Sequence, residues 1–556
     1  MRLKSISNTI ATVAVCNLAA WCGSSYAATY YVSSIGNDAN NGTSANTPWL
    51  TLAQVNRGAF NPGDQILFRC GDTFSGQLLV SRSGSPGNPI TFSSYNPGPG
   101  ACTLPVLAGA TGQAKMLQSA VLVQDQDNLV FTNLHISNNN TGIAGAGTTN
   151  IFGIRVANTG LRNLSYYRFQ NLLVDQVTNY AWNTTLDAIY TAGIGVVDTS
   201  SQYQISDIVV SGSTFTNNGR YGAVFGDISA VPNYNISTPV LGIQNASFIN
   251  NTCTNNGGSC LMGQRVNNLL IQGNSITNSG AATPVNTTAA VNMFNRGSGA
   301  WFVGSQHVAV ESNFVSGSYG ALGDSSNIHV DAANSDVVIE YNTYYGDSGA
   351  GFEVLGGNHH VIYRFNYSAN DGQRSAGSGV IYSSTYVPAT MGTIGNANSD
   401  DVWIYNNAFV ANSTASQAIS IAATNMRIYN NIFASFGAPQ ISLTSGSLPA
   451  SWSNNVFYGA AASAYQNDHY AILQDPKFVN ESASAFTATP SYVNNFKLLS
   501  GSPALSSAYM GFAQPVFQAA GTGIFANIAP TATNGFFGQP IQLSTWNVGP
   551  YQWTGE

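Results

Sequence analysis

The sequence predicts an all-β solenoid, a chain wound into stacked coils of short strands. Only 7% of the 556 residues are charged, against roughly 25% in an average soluble protein, and Gly, aromatic and β-branched residues are abundant. The stretch VVIEYN, which ends at Asn342, is followed by VIYRFN, which ends at Asn366, an interval of 24 residues. Short strands that end in Gly or Asn at a regular period indicate stacked β-coils rather than helical repeats.

The repeat extends along most of the chain. Segments with alternating apolar residues close on Asn133, Asn171, Ser213, Asn245, Asn274, Asn313, Asn342, Asn366, Asn406, Asn430 and Asn454. The last four intervals are 24, 40, 24 and 24 residues. Asn tolerates left-handed backbone angles, and its amide can bond to an Asn one coil away. We therefore predict about 11 or more coils and a structural Asn ladder at one turn.

Both ends of the chain resemble a known family. YYVSSIGNDANNGTSANTPWLTLAQVN from Tyr30, DPKF from Asp475 and FKLLSGSPAL from Phe496 are similar to the opening and closing elements of secreted right-handed parallel β-helix proteins of the pectate-lyase-like superfamily. The resemblance implies a right-handed parallel β-helix with an N-terminal capping module. We expect the cap and first coils at 28–105, the β-helix at 106–480 and a closing segment at 481–556. The superfamily contains lyases, hydrolases, epimerases and adhesins, so it does not select a reaction.

The N-terminus predicts export. Arg2 and Lys4 precede an apolar stretch and Ser25-Tyr26-Ala27, which is typical of a signal peptide at 1–27. No later apolar run approaches the roughly 18 residues of a membrane helix. With a net charge of −7 and 17 basic residues that form no run, the chain lacks the signature of a nucleic-acid-binding protein. We expect a monomer that is secreted, periplasmic or at the cell surface and that binds an extracellular polysaccharide.

Four cysteines remain after the signal peptide. An even count in an exported protein suggests disulfides, and proximity pairs Cys70 with Cys102 and Cys253 with Cys260. Four buried thiols are the alternative. No Cys or His spacing indicates zinc.

Acids and histidines concentrate in one region. Eight of the 24 acids lie between Glu311 and Arg374, and four of the six histidines lie between His307 and His360. The acids are Glu311, Asp324, Asp331, Asp336, Glu340, Asp347, Glu353 and Asp371. This enrichment predicts a functional site.

His329 and Glu353 are 24 residues apart and should meet on consecutive strands. Each alternates with apolar residues, so His329, Asp331 and Glu353 should point outward. A carboxylate beside an imidazole suits proton transfer, which makes these three residues catalytic candidates. The alternative is an exposed ion pair worth less than about 1 kcal/mol.

Asp324, Asp347 and Asp371 form a second series, at intervals of 23 and 24 residues. Stacked carboxyls could cleave a glycosidic bond or bind calcium. We therefore include Asp347 and Asp371 among the catalytic candidates and all three as calcium ligands. Alternatively, each Asp closes its own turn.

Arg374 could neutralise these acids or hold a substrate carboxylate. A long insertion follows Ile381, and its Tyr382 and Tyr386 could stack on sugar rings. These three residues are the predicted substrate contacts.

The favoured hypothesis is an extracellular polysaccharide-active enzyme with a groove along the coils. Hydrolysis would use two carboxyls, whereas β-elimination would use His329 or Arg374 as base and calcium on the Asp series. We favour hydrolysis. The alternative is a noncatalytic, adhesin-like β-helix that binds carbohydrate.

Overall fold

The computed structural model describes residues 27–111, 115–143, 149–179, 190–198, 202–226, 242–280, 294, 296–320, 325–372, 379–387, 396–412, 417–437 and 441–552. These residues form three long sheets, here named A, B and C, in which neighbouring strands pair in parallel.

Sheet A has 14 strands: Thr29–Val32, Gln65–Arg69, Ile90–Tyr95, Leu129–Thr132, Leu164–Gln170, Ile205–Ser211, Ile243–Ile249, Val266–Gln272, Gln306–Glu311, Ser335–Glu340, His359–Arg364, Asp400–Tyr405, Arg427–Tyr429 and Ser451–Ser453. Sheet B has 13 strands: Thr73–Ser75, Val106–Ala108, His135–Asn139, Leu173–Thr178, Thr214–Thr216, Thr252–Thr254, Ser275–Thr277, Phe314–Ser316, Thr343–Tyr345, Tyr367–Ala369, Ala408–Ala411, Ile432–Ser435 and Val456–Tyr458. Sheet C has 12 strands: Leu78–Val80, Ser119–Gln124, Ile151–Asn158, Thr191–Asp198, Tyr221–Gly226, Leu261–Gln264, Ala300–Val303, Ile328–Val330, Phe352–Val354, Ile381–Ser383, Gln417–Ser420 and Ile441–Leu443.

One coil contains one strand from each sheet. Ile328–Val330 of sheet C is followed by Ser335–Glu340 of sheet A and Thr343–Tyr345 of sheet B, and the next coil begins at Phe352. Each strand therefore pairs with its equivalent in the following coil. The predicted all-β right-handed parallel β-helix is confirmed, and its 12 to 14 strands per sheet agree with the expected number of coils.

The interior is filled by side chains that alternate along each strand and stack from coil to coil. Phe409, Phe433 and Phe457 stack with ring centroids 5.2 Å apart at both steps and with nearly parallel planes. Since a parallel ladder places equivalent residues about 4.8 Å apart, identical aromatic residues fall within stacking distance.

The predicted Asn ladder exists at the turn from sheet A to sheet B. Its members are Asn251, Asn274, Asn313, Asn342, Asn366, Asn407, Asn431 and Asn455. The Oδ1 atom of Asn342 accepts hydrogen bonds from the backbone N–H and the side-chain amide of Asn313, both at 2.9 Å. The Asn side chain in each turn thereby provides an acceptor for a buried backbone N–H of the preceding coil.

The prediction of ladder residues was wrong for part of the series. The ladder does not include Asn133, Asn171, Asn245, Asn406, Asn430 or Asn454, which all have positive φ. Each turn contains a residue with left-handed backbone angles followed by the ladder residue, as in Asn406-Asn407. Asn suits both positions, so sequence alone does not distinguish them.

The described residues include two short α-helices and four 3₁₀ helices. The α-helices are Leu52–Val55 and Ala462–Tyr465, and the 3₁₀ helices are Ala483–Ala485, Pro490–Phe496, Gly523–Phe525 and Leu543–Thr545. None of the helices in the described part of the chain is long and apolar enough to cross a bilayer. Both predicted disulfides, Cys70–Cys102 and Cys253–Cys260, are present.

Residues 476–552, here called the C-terminal segment, cover the outer faces of two sheets. Phe478, Phe496 and Val548 form a buried cluster with outer residues of sheet B. Phe517 and Trp546 pack in the same way on sheet A. The outer face of sheet C is therefore the one to search for a site. The proposed domain boundaries stay predictions.

Candidate functional site

The connections between strands differ at the three corners of the coil. From Thr132 onward, every connection from sheet A to sheet B has the two-residue form seen at 312–313 and 341–342. In the same part of the chain, the longest connections adjoin sheet C, such as 278–299 before one of its strands and 384–399 after another. Since long insertions commonly carry binding residues, sheet C is the functional candidate.

His329 and Glu353 meet on the outer face of sheet C. They are Cα partners in Ile328–Val330 and Phe352–Val354, and the flanking apolar residues of both strands point into the core. His329 Nδ1 lies 3.8 Å from Glu353 Oε2, and each residue is only 4% exposed. The predicted register and orientation are confirmed. The alternative of an exposed ion pair is wrong, because both groups are buried.

Ser326 orients the Glu353 carboxylate. Its hydroxyl oxygen accepts a 3.0 Å hydrogen bond from the Ala350 backbone N–H, and its O–H donates to Glu353 Oε2. The backbone contact occupies a lone pair, so the hydroxyl proton is directed at the carboxylate. Sequence reasoning missed Ser326, since one Ser in a turn carries no distinguishing spacing.

Aromatic residues flank the pair along the solenoid axis. Trp301 is the register partner of His329, with ring centroids 6.3 Å apart. Tyr382 is the register partner of Glu353 on the opposite side. Tyr386 follows in the next turn and is 54% exposed. The structure thus places Trp301, His329, Glu353 and Tyr382 in one row, with neighbours about 4.8 Å apart.

Asp331 lies on the same side of sheet C as His329. It follows the strand Ile328–Val330, is 7% exposed, and its Oδ1 accepts a 2.8 Å hydrogen bond from the Ala332 backbone N–H. From strand geometry, the Cα atoms of Asp331 and Glu353 are roughly 8 Å apart. The site therefore combines two carboxyls and one imidazole.

Asp347 and Asp371 meet as predicted, but in the interior. The Asp347 backbone N–H donates to Asp371 Oδ1 at 2.8 Å, and the Ser318 backbone N–H donates to Asp347 Oδ1 at 2.6 Å. Asn218 and Asn256 make the same contact in earlier coils. Because each carboxyl accepts a backbone hydrogen bond from the preceding coil, the two acids close turns, and this geometry does not support a catalytic role.

Burial changes the protonation of this inner pair. Burial and the charge of Asp371 raise the pKa of Asp347 well above its usual value. Burial also raises the pKa of Asp371 to about 7, although hydrogen bonds from Ser368 and Asn327 favour its ionised form. Because the Asp347 and Asp371 carboxyls are close together and buried from water, they cannot both be ionised near neutral pH.

Ser318 occupies the ladder position before Asp347. Strands Phe314–Ser316 and Thr343–Tyr345 pair in a register that brings the Ser318 backbone N–H to the Asp347 carboxyl. Asp324 and Arg374 lie outside the described residues. Within the described ranges no group of three or more His, Cys, Asp or Glu side chains could hold a metal ion. Calcium binding remains a prediction that this geometry does not support.

Several of the clustered acids belong to sheet A. Arg364 Nε contacts Glu340 Oε2 at 2.6 Å beneath the C-terminal segment, and Arg364 Nη2 donates to the Ala529 carbonyl. The raised pKa of Glu311 comes from burial and from its neighbour Glu340. The enrichment seen in the sequence therefore has two causes, a candidate site on sheet C and a buried polar network on sheet A.

The comparisons with known proteins agree with this architecture. No protein-family model matches the chain. The lacto-N-biosidase of Bifidobacterium longum subsp. longum is 47% identical over 72 residues, so the match spans 12% of this chain and 4% of that protein's length. Two crystal structures of the GH136 lacto-N-biosidase from Eubacterium ramulus give TM-scores of 0.52 and 0.54 at 18% identity, covering 80% of this chain and 68% of those chains. The chain is a right-handed parallel β-helix protein, and its resemblance to the pectate-lyase-like superfamily is confirmed at the level of the fold.

Proposed function

We propose that this chain is a glycoside hydrolase that binds a glycan along the outer face of sheet C. The observation that carries the proposal is the buried His329–Glu353 pair, 3.8 Å apart, in the row between Trp301 and Tyr382. The similarity to lacto-N-biosidases supports the reaction class.

Glu353 and Asp331 supply the two carboxyls of the proposed reaction. Glu353 accepts a hydrogen bond from Ser326 and lies beside His329. Glu353 acts as base or nucleophile, and Asp331 acts as the acid that protonates the leaving oxygen. The Cα atoms of Asp331 and Glu353 are roughly 8 Å apart, which allows their carboxyl groups to reach the separations found in glycosidases.

This geometry disfavours the two other hypotheses. β-Elimination would need a cation facing a uronate, but Asp347 and Asp371, two of the three expected calcium ligands, are interior turn residues. In a noncatalytic rod, a buried His329–Glu353 pair would have a desolvation cost without a function.

The two disulfides support action in an oxidising compartment outside the cytoplasm. The predicted signal peptide at 1–27 fits this location, although 1–26 lie outside the described residues. A monomeric state stays a prediction.

The test is turnover by the purified protein across lacto-N-biosides and neutral, uronic and sulfated glycans, measured as new reducing ends and as unsaturated uronates. Glu353→Gln and Asp331→Asn should each lower kcat by about 10²-fold or more, the range for loss of a general acid or base. Glu311→Gln is the matched control, because Glu311 lies on sheet A and accepts a hydrogen bond from Gln272. It should retain turnover.

Full activity in both site variants would show that the site is elsewhere. Release of unsaturated uronates would establish elimination. Binding without turnover by the unmodified protein, on every glycan, would favour the adhesin-like alternative.

A further inference from the structure

His and Asp side chains alternate along one column of sheet A, remote from the proposed site. His307, Asp336, His360 and Asp401 occupy equivalent positions of four consecutive strands. All four have left-handed backbone angles, with φ between 52° and 58°. His307 Nδ1 lies 2.7 Å from Asp336 Oδ2, and His360 Nδ1 lies 2.7 Å from Asp401 Oδ2.

Two members of the column also contact the C-terminal segment. His360 Nε2 lies 2.9 Å from the Val516 carbonyl oxygen, and the Gln518 backbone N–H donates to Asp336 Oδ1 at 3.0 Å. Phe517, between these contacts, is fully buried against sheet A. The column thus holds the segment where it covers the apolar face.

The contacts of His360 specify its protonation. One ring nitrogen faces a carboxylate and the other a carbonyl, and both partners only accept hydrogen bonds. A neutral imidazole has one N–H, whereas the imidazolium has two. Both contacts are hydrogen bonds only if the ring is charged or Asp401 carries the proton.

Asp401 is ionised in this environment. Its Oδ1 accepts hydrogen bonds from Trp403 Nε1 at 2.8 Å and Arg427 Nη1 at 2.7 Å. Although burial acts to raise it, the pKa of Asp401 is below its usual value because of hydrogen bonds from His360 and Trp403 and the charges of His360 and Arg427. The proton therefore belongs to His360.

We propose that the His360 imidazolium is a proton-dependent latch that fastens the C-terminal segment to sheet A. The titratable and charged groups around it are Asp336, Asp401, His307 and Arg427, and His360 Nε2 lies 3.9 Å from Asp336 Oδ1. The adjacent His359–Asp400 pair is exposed, with His359 Nδ1 3.6 Å from Asp400 Oδ2. Residues 511–520 contain no charged side chain. Loss of the proton removes one of the two hydrogen bonds of His360, and no charged side chain in 511–520 replaces it.

Hydrogen–deuterium exchange of the full chain tests the latch, with rates corrected for intrinsic pH dependence. Protection of amides in 512–520 should fall about tenfold between pH 5.5 and 8.5, the scale of one lost hydrogen bond to a charged group. Protection in the strand His359–Arg364 should change less. In His360→Gln, protection of 512–520 should already be low at pH 5.5 and should not vary with pH.

The matched control is His359→Gln, because His359 is adjacent in sequence but its side chain is 64% exposed. It should behave as the unmodified protein. If His360→Gln does not fold, the unmodified protein labelled with ¹⁵N-histidine decides the question, since both ring nitrogens of His360 should be protonated at pH 5.5. Exchange of 512–520 that is independent of pH, equal loss of protection in the His359 variant, or a neutral His360 ring at pH 5.5 would each overturn the proposal.

Discussion

Asp347 lies at the end of one coil and Glu353 at the start of the next, yet their carboxyls have opposite environments. Glu353 alternates with Phe352 and Val354 on a strand of sheet C, so it points outward when they point inward. Asp347 lies in a turn, where its side chain accepts a backbone hydrogen bond from Ser318 in the preceding coil. Strand alternation decides the first position, and the need to satisfy buried backbone groups decides the second.

The inner acid pair makes stability depend on pH. The pKa of Asp371 is raised to about 7 and that of Asp347 is also raised, so the folded state holds protons more tightly than an unfolded chain with Asp values near about 3.9. The stabilisation is complete below about pH 4 and is lost as pH rises through 7. We expect the midpoint of thermal unfolding of the unmodified protein to fall between pH 5 and 8.

Asp347→Asn should reduce this dependence, because Asn does not titrate and already serves at Asn218 and Asn256. At pH 8 the variant should be more stable than the unmodified protein, by about 1 kcal/mol or more. Thermal unfolding at pH 5 and pH 8 measures both effects. An unchanged slope with pH would show that the pair does not titrate as described.

Among the elements, the turn from sheet A to sheet B is the most uniform. One residue adopts positive φ and the next contributes the ladder amide, as at Tyr341 and Asn342. Because the Asn side chain accepts a hydrogen bond from the turn of the preceding coil, the conformation of each turn depends on that of its neighbours. This coupling explains why the turn keeps two residues while other corners accept insertions.

Asn342→Ala should destabilise the protein by about 3 kcal/mol. The change leaves the backbone N–H of Asn313 without an acceptor and removes the amide that donates to the Val310 and Glu340 carbonyls. Each unsatisfied buried group costs about 1–3 kcal/mol. Asn267→Ala is the control, since that partly buried residue makes a single hydrogen bond to Gln244. Denaturant unfolding should show a loss well under about 1 kcal/mol for the control. Equal losses would mean that the ladder contributes no special stability.

At the scale of the molecule, the C-terminal segment decides which face remains for a ligand. It buries apolar residues on the outside of sheets A and B, leaving the row of Trp301, His329 and Glu353 on sheet C. The segment packs against coils whose residues lie far earlier in the sequence.

Phe496→Ala tests this coverage. Phe496 is 1% exposed and packs against Phe478 and Phe486 at 5.2 and 5.1 Å. Its truncation should cost about 3–5 kcal/mol and increase binding of a hydrophobic dye to sheet B. Leu499→Ala, at a position 46% exposed, should change stability by less than about 0.5 kcal/mol. Similar unfolding midpoints for the two variants would contradict the packing described.

The sequence by itself determined the solenoid, the contact of His329 with Glu353 and the two disulfide pairs. These follow from local information: side chains alternate on each strand, a period of 24 residues returns the chain to the same corner, and the paired cysteines are near in sequence. Only the tertiary structure decided that Asn407, and not Asn406, joins the ladder, that Ser318 precedes Asp347 in its ladder, and that the C-terminal segment covers sheets A and B. Turn conformation and inserted residues change which residues of neighbouring coils are aligned. Coverage of a sheet by the C-terminal segment depends on contacts between residues far apart in sequence, which a local pattern does not show.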